Sequence, residues 1–491
     1  MAAAEQNFDL IIIGGGPAGV TAALRARELG AKTAIIERAI MGGTCTNDGC
    51  APTRVLARAA RLMRDARQFA EYGLIAEPPT IDFAQVIDRT QQVVYQLQEK
   101  KQLIAHLTDV GVEALYGVGS ARFTDPHTVS LPDGRSLRAE KFVISAGGSA
   151  KRLPFPGSEF TLTHSDVWTL KKLPASVAII GAGATGCQLG SVFSAFGARV
   201  TIMDAAQRIL MTEDESVAEQ VKRSFTRHGI EMIIGIKGVE KVEKREDGLT
   251  LTYTLDGKPE TLDVEAVVVA VGWPGNTPDL GLDKAGVEVE RSYIKTDDYL
   301  RTTAPNIYAA GDITGRIMLV QTASYQARVA AENALIADGK SDRPAQSRLV
   351  PHGGFTDPEY GGVGMTEAQA REGGRDVVVA HVPYADLDRA VIDGYTEGFC
   401  KLIVQRDSHL ILGAHVVGEQ AVEVVQLIAT GMAAGMKVEQ LADVELAYPT
   451  YAAIVGLAAR ELIRKLGFIT ISQEWLALNP IRGVEWERKD M

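Results

Sequence analysis

A strand–glycine–helix–strand pattern occurs twice in this chain, and nothing else in it restricts the fold as sharply. The first copy, FDLIIIGGGPAGVTAALRARELGAKTAIIE, runs an apolar strand over residues 9–13 into Gly14, Gly16 and Gly19, then a helix of small residues and a second strand ending in Glu37. The second copy, ASVAIIGAGATGCQLGSVFSAFGARVTIMD, repeats the order with Gly181, Gly183, Gly186 and Asp204. Each position has a mechanical reason. The first glycine makes the tight turn, the second lets a pyrophosphate approach the backbone, and the third lets helix and strand pack closely. The helix N-terminus offers N–H groups to the phosphates, and the acid accepts from a ribose hydroxyl. A merely structural glycine turn needs neither the acid nor the second strand, so two dinucleotide sites are expected.

No basic residue follows Asp204 directly, which favours a free 2′-hydroxyl and so NADH over NADPH; Arg208 nearby keeps NADPH open. Two further apolar runs, KFVISAGG and AVVVAVGWPGN, are placed to close the nucleotide-binding sheets. The run TTAPNIYAAGDITG sets Gly311 and Asp312 after another strand-like stretch. From Val350 onward the composition changes, and strands around 399–404 and 410–417 with helical stretches over 419–436 suggest a separate α+β domain. The fold class is therefore α/β, with two Rossmann-like dinucleotide-binding domains and a C-terminal α+β domain. The expected divisions are 1–150 and 276–349 for the first nucleotide domain, 151–275 for the second, 350–470 for the C-terminal domain and 471–491 for an extension. A chain of 491 residues is too long for a single core.

Composition excludes several classes. A net charge of −11 with no basic run argues against a nucleic-acid surface. Residues 173–198 carry no charge, but glycines interrupt them in a strand–turn–helix pattern, so no membrane segment is expected. The start MAAAEQNF has no signal-peptide pattern. Four cysteines are too few for a secreted disulfide scaffold. A cytoplasmic location follows, where a catalytic disulfide is more plausible than a structural one. The eight histidines show no metal-ligand spacing, so no resident metal is expected.

Cys45 and Cys50 lie in GGTCTNDGCAPTR, residues 42–54. A regular helix would set their Cα atoms about 8–9 Å apart, and a disulfide rarely tolerates more than ~7 Å. Asn47, Asp48 and Gly49 are poor helix-interior residues, and Pro52 has no N–H for the carbonyl of Asp48. A distorted segment holding a breakable disulfide is the reading these residues favour over two unrelated thiols. Cys187 and Cys400 read as packing residues.

Taken together, the 42–54 segment, the two fingerprints, YAAGD at 308–312 and FTDPE at 355–359 make the chain resemble the flavin-dependent pyridine nucleotide–disulfide oxidoreductases, which include dihydrolipoamide dehydrogenase, glutathione reductase and mercuric reductase. The resemblance implies FAD at the first fingerprint, with Glu37 on its adenosine ribose, Asp312 near the ribityl chain, and Gly43, Thr44, Arg54 and Gly311 along it. It implies NADH or NADPH at the second, with Gly272 alongside. It implies a homodimer built through residues from about 350 onward, each active site being completed by the partner subunit. Cys45 would meet substrate, and Cys50 would stack on the flavin. A helix start near Cys45 would help lower its thiol pKa.

The chain also departs from that family's pattern. The histidine of its HPTxxE run is Tyr448, and the orienting glutamate is Ala453. A phenol of pKa ~10 is a poor proton shuttle at neutral pH. Mercuric reductase resembles the chain here, since a soft metal ion bound by two thiolates needs no protonated leaving thiol. Its usual C-terminal cysteine pair is missing, however, as is an N-terminal metal-binding domain. A flavin-side lysine–glutamate pair is replaced by Arg54 and Gln188, and an arginine by Trp273, while Asn276 is kept. Three functions follow: reduction of Hg(II) or a similar electrophile, a dihydrolipoamide dehydrogenase-like activity with Tyr448 moving the proton, or a redox-sensing flavoprotein without disulfide turnover. The extension's FITISQEWLALNPIRG is expected to pack on the dimer rather than form a lid.

Overall fold

The structure is a computed structural model that describes residues 6–336, 343–345 and 349–467. The expected extension 471–491 lies outside the described residues. The chain divides into two compact units, residues 1–69, 75–207 and 230–347 in one, and residues 70–74, 208–229 and 348–491 in the other.

The first unit holds both fingerprints. Its first sheet runs in the order Glu113–Tyr116, Thr33–Glu37, Gln6–Ile13, Ser136–Ile144, Thr128–Ser130, Arg122–Asp125, and Ile307–Ala309 also pairs with Ser136–Ile144. The opening strand begins at Gln6 rather than residue 9, because its register against Ser136–Ile144 runs unbroken from Gln6–Leu137 to Asn7–Arg138 and Phe8–Ala139. Leu10 and Ile12 face the alanines of the helices Pro17–Glu28 and Val320–Leu335, while Ile11 and Ile13 face Phe123 and Phe142. A parallel strand covered on both faces reads as a continuous apolar run, as this one does. The alanines let the two helices approach closely.

The second sheet is wholly parallel, in the order Glu231–Ile234, Arg199–Asp204, Ser176–Ile180, Ala266–Val269, Leu162–Thr163. A three-stranded antiparallel meander, Gly238–Arg245, Gly248–Leu255 and Lys258–Val264, accompanies it. In the parallel part of the first sheet, and throughout the second, the chain reverses its strand order beside the first strand of the fingerprint. Ligands of such sheets bind in the crevice outside the carboxyl ends of the strands at that point.

The second unit is built on a five-stranded antiparallel sheet in the order His352–Gly354, Tyr360–Gly364, Ile411–Val417, Phe399–Gln405, Val377–Pro383. Leu402, Ala414 and Val416 pack under the helices Ala421–Ala433 and Ala453–Lys465 through Val425, Ile428, Val455 and Leu462. Lys401 on its other face is buried and paired, its Nζ lying 2.8 Å from Asp214 Oδ1 and 2.9 Å from Glu367 Oε2. Among the described residues no helix is long and apolar enough to cross a membrane.

Candidate active site

The segment carrying the two cysteines is not one distorted helix but two helices with a break between them. A short helix, Gly43–Asn47, ends at Asp48 (φ −143°, ψ 4°), Gly49 is also non-helical (φ −140°, ψ −99°), and a second helix begins at Cys50 and runs to Asp65. Pro52 thus sits in the first turn of the second helix, where a missing N–H costs nothing. The carbonyl of Asp48 would otherwise lack a donor, and the indole Nε1 of Trp168 supplies one at 3.1 Å. The Asp48 N–H donates to the Thr44 carbonyl at 2.9 Å. Its carboxylate accepts from Ser165 Oγ at 2.6 Å and lies 3.2 Å from His164 Nε2. Lys101 Nζ bonds Thr46 Oγ1 at 2.7 Å, and Gln98 Nε2 bonds Asn47 Oδ1 at 2.9 Å. Each such bond contributes about 1 kcal/mol net, and together they tether the residues between the cysteines. Sequence reading singled out none of Gln98, Lys101, His164, Ser165 and Trp168, because they stand between 51 and 120 residues from their partners.

Both thiols are free, and they are close enough to share a hydrogen bond. That bond holds the Cys45 thiol at about 7, with the nearby Lys101 ammonium helping against burial and the Asp312 carboxylate. The shared bond, then burial, push the Cys50 thiol up. The shared bond with Cys50 is the largest cause, and Lys101 supplies a nearby positive charge. Burial raises the Asp312 carboxyl. Asp312 opens a short 3-10 turn after Gly311 (φ +79°), whose N–H donates to Gln326 Oε1 at 2.9 Å. Gln188 Nε2 turns back to the Ala184 carbonyl of its own helix at 2.9 Å. Arg54 lies one turn into the helix that Cys50 begins.

The fingerprint glycines form two matching cradles. Neither Gly16 nor Gly183, the residues at which the two helices begin, places a side chain on the terminal N–H groups. A Cβ at Gly183 would meet nothing within 4 Å, and one at Gly16 only the Gly43 Cα at 3.6 Å. Uncapped donors beside open space fit a pyrophosphate. Glu37 accepts from the N–H groups of Gly15 and Ala39 at 2.7 and 2.8 Å, and Asp204 from those of Ala182 and Ala206 at 2.6 and 2.8 Å. Each carboxylate offers about four lone-pair sites, so acceptor capacity is left for a ribose hydroxyl. Gly272 (φ +117°) accepts from the Lys151 N–H at 3.0 Å, and the next residue, Trp273, rests its ring 4.4 Å from that of His164. Arg208, left open as a phosphate ligand by the sequence, is committed elsewhere. Its guanidinium donates to the carbonyls of Leu210, Met211 and Glu213 at 2.8, 3.1 and 2.9 Å.

Tyr448 belongs to the second unit and the thiol pair to the first. Its ring is 73% exposed, and its hydroxyl donates to Asp388 Oδ2 at 2.7 Å. That bond and the carboxylate charge raise the phenol above its ordinary value. Ala453, at the position of the expected glutamate, begins the helix Ala453–Lys465, so Asp388 is the carboxylate that holds the phenol. Asp393 does the same for Tyr451 at 3.0 Å. Cys187 and Cys400 are buried, and burial pushes the Cys400 thiol up to about 12. Among the described residues no group of three metal-ligating side chains converges.

Two family models match the chain: pyridine nucleotide-disulphide oxidoreductase over residues 8–327, and the dimerisation domain of the same family over residues 350–459. A dihydrolipoyl dehydrogenase of Chlorobaculum tepidum is 34% identical over 466 residues, covering 94% of this chain and 98% of its own. A mercuric reductase of Staphylococcus aureus is 33% identical over 458 residues, covering 93% and 82%. Among solved structures, the Cu(II) complex of RclA, an HOCl-induced flavoprotein disulfide reductase from Escherichia coli, superposes with a TM-score of 0.82 at 29% identity, covering 93% of this chain and all of that one, 100%. With a broken helix presenting two thiols, two uncapped dinucleotide cradles and both family models in order along its length, the chain belongs to the pyridine nucleotide-disulphide oxidoreductases.

Proposed function

We propose that this enzyme uses the Cys45–Cys50 pair to reduce a thiol-reactive metal ion, Hg(II) or Cu(II), with NADH as electron donor. The observation that carries the reading is the Tyr448–Asp388 bond. The phenol donates its hydrogen bond to the carboxylate and is held above its ordinary pKa, so it is a poor acid toward a leaving thiolate at neutral pH. Its oxygen keeps a lone pair available to a cation. A thiophilic ion bound by two thiolates needs no proton to leave, so the missing histidine matters little for such a substrate.

In this reading the first cradle, with Glu37, Gly43, Thr44, Arg54, Gly311 and Asp312, holds FAD, and the second, with Asp204 and Gly272, holds the nicotinamide nucleotide. The flavin, when bound, supplies the relay for two electrons between nicotinamide and sulfur. The chain's own residues do the remaining work. The Cys50 S–H bond and Lys101 hold Cys45 as a thiolate near neutral pH. Both sulfurs then ligate the incoming ion, displacing its solution thiols. Hg(II) gains two electrons and leaves as the metal, or two Cu(II) gain one each to become Cu(I), while NADH becomes NAD⁺, one proton is released to solvent and both sulfurs are retained. Two observations support NADH: Asp204, bound to two backbone N–H groups at the second fingerprint, keeps acceptor capacity for a ribose hydroxyl, and Arg208 is spent on three backbone carbonyls. The homodimer of the family brings the run around Tyr448 to the pair of the other subunit, and RclA, a relative of similar fold, has been seen with copper.

The test is a comparison of acceptors. The flavin-loaded protein receives NADH, then Hg(II) with excess thiol, Cu(II), lipoamide or a quinone. The expected result is metal-stimulated NADH consumption that disappears in Cys45→Ser and falls about tenfold in kcat/KM in Tyr448→Phe, a loss of about 1.4 kcal/mol. Lipoamide turnover faster than metal turnover overturns the reading, and flavin reduction with no productive acceptor replaces it with a sensor.

A further inference from the structure

Asp48 is pinned at three points: its N–H, its carbonyl and its carboxylate all have partners. The partners of the carbonyl and the carboxylate come from one short stretch, His164, Ser165 and Trp168, which begins where the strand Leu162–Thr163 ends. That strand is the outermost of the second sheet, and the stretch follows its carboxyl end. His164 and Trp168 are 4% and 6% exposed. The Asp48 carbonyl lies before the helix that begins at Cys50, so its donor comes from elsewhere in the fold, and Trp168 provides it. The thiols approach each other only because the chain turns at Asp48 and Gly49 instead of continuing as a helix.

We propose that Asp48 is a positioning residue for the redox pair, and that its carboxylate and carbonyl, held by His164, Ser165 and Trp168, fix the separation of Cys45 and Cys50. It acts through the geometry of the turn and touches neither the substrate nor the reacting sulfurs. Preorganised thiols form their bond more readily, because less freedom is lost on closure. Loosening the turn therefore shifts the pair toward the open dithiol. The inference rests on Cys45 and Cys50 being the redox pair.

Equilibration of the flavin-loaded enzyme with dithiothreitol and its cyclic disulfide measures this directly. Two thiols of the reagent become its ring disulfide as the Cys45–Cys50 bond opens to two thiols, and acid quenching with thiol labelling counts the result. Asp48→Val is expected to favour the dithiol about tenfold relative to wild type, about 30 mV for this two-electron couple. Trp168→Phe, which keeps an aromatic ring and loses the donor, is expected to shift it about threefold in the same direction. Asp48→Asn keeps an acceptor for Ser165 and is expected to stay within about threefold of wild type. If Asp48→Val does not fold, Trp168→Phe reads the same quantity. Variants that melt lower but keep the wild-type equilibrium constant overturn the proposal, since a purely structural role predicts that pattern. A wild-type protein in which no Cys45–Cys50 disulfide forms at any reagent ratio sinks the underlying reading instead.

Discussion

Gly14 and Gly181 have φ values of +110° and +112°, and a Cβ on either would stand 2.3 or 2.4 Å from a carbonyl oxygen of the neighbouring strand. Gly19 and Gly186 match as closely, each 1.8 Å by the same measure from the carbonyl of the first glycine. The surroundings then part. The first cradle is roofed: a Cβ at Gly43 would stand 2.7 Å from the Gly16 Cα, and one at Gly15 would strike the Met41 sulfur at 2.4 Å. Nothing comparable covers Gly183. A fingerprint therefore fixes the backbone that meets the phosphates, and the rest of the chain decides whether the ligand stays. A roofed cradle suits a resident flavin kept beside the thiols, and an open one suits a nucleotide exchanged at each turnover.

The largest expected effect falls on the roof. Gly43 has φ +59° and lies on Gly16, so Gly43→Ala adds left-handed strain of about 1–2 kcal/mol to overpacking of about 1–3 kcal/mol. Purified Gly43→Ala should be largely colourless and should melt lower; full flavin content with normal melting would break the comparison.

A second contrast lies between the thiols of the two regions. Cys45 is held at about 7, whereas burial raises Cys187 in the second fingerprint helix. A lowered pKa means that the thiolate is present above about 7 and is lost as pH falls through that value. In the reduced protein, iodoacetamide should label Cys45 at pH 7 about 15-fold faster than an ordinary thiol of pKa ~8.5, and should leave Cys187 unlabelled. Mass spectrometry across pH 5–9 checks both. A Cys45 rate still climbing tenfold per unit above pH 8 would remove the contrast.

Gly183→Ala sharpens the difference from the other side. The added methyl meets no protein atom, so stability should be unchanged or about 0.5 kcal/mol higher, while the KM for NADH rises about tenfold with flavin content intact. A lower melting temperature with normal KM would show that the open cradle is not where the nucleotide sits.

Asp204→Asn should have the smallest effect. The amide keeps one oxygen for the Ala182 or Ala206 N–H and loses the charge. The ratio of kcat/KM for NADH over NADPH should fall about threefold to tenfold. Arg208→Gln should leave that ratio alone, because Arg208 is already committed to carbonyls.

The cradles were legible because their constraints are local. The turn, the close approach and the acid all fall within about 25 residues, and periodicity carries them. The residue in the redox turn was legible only in part. Asp48 and Pro52 announced a break, but its partners come from a stretch that no short-range pattern links to it. Arg208 looked like a ligand for phosphate and is a brace for its own loop; the positive φ of Leu210 (+48°) belongs to the turn that brings those carbonyls round it. Ala453 indicated that Tyr448 had lost its carboxylate, and the fold returned one from Asp388, 60 residues earlier.

By itself, the sequence showed two glycine fingerprints, a pair of cysteines five positions apart and a tyrosine where an imidazole is expected. Glycine, proline and side-chain pKa act over a few residues, so such constraints are written in order along the chain. Tertiary structure decided which cradle is covered, what holds Asp48, and which way the Tyr448 hydroxyl points. Those depend on hydrogen bonds and packing between groups far apart in sequence, whose directions are set only once the elements have met.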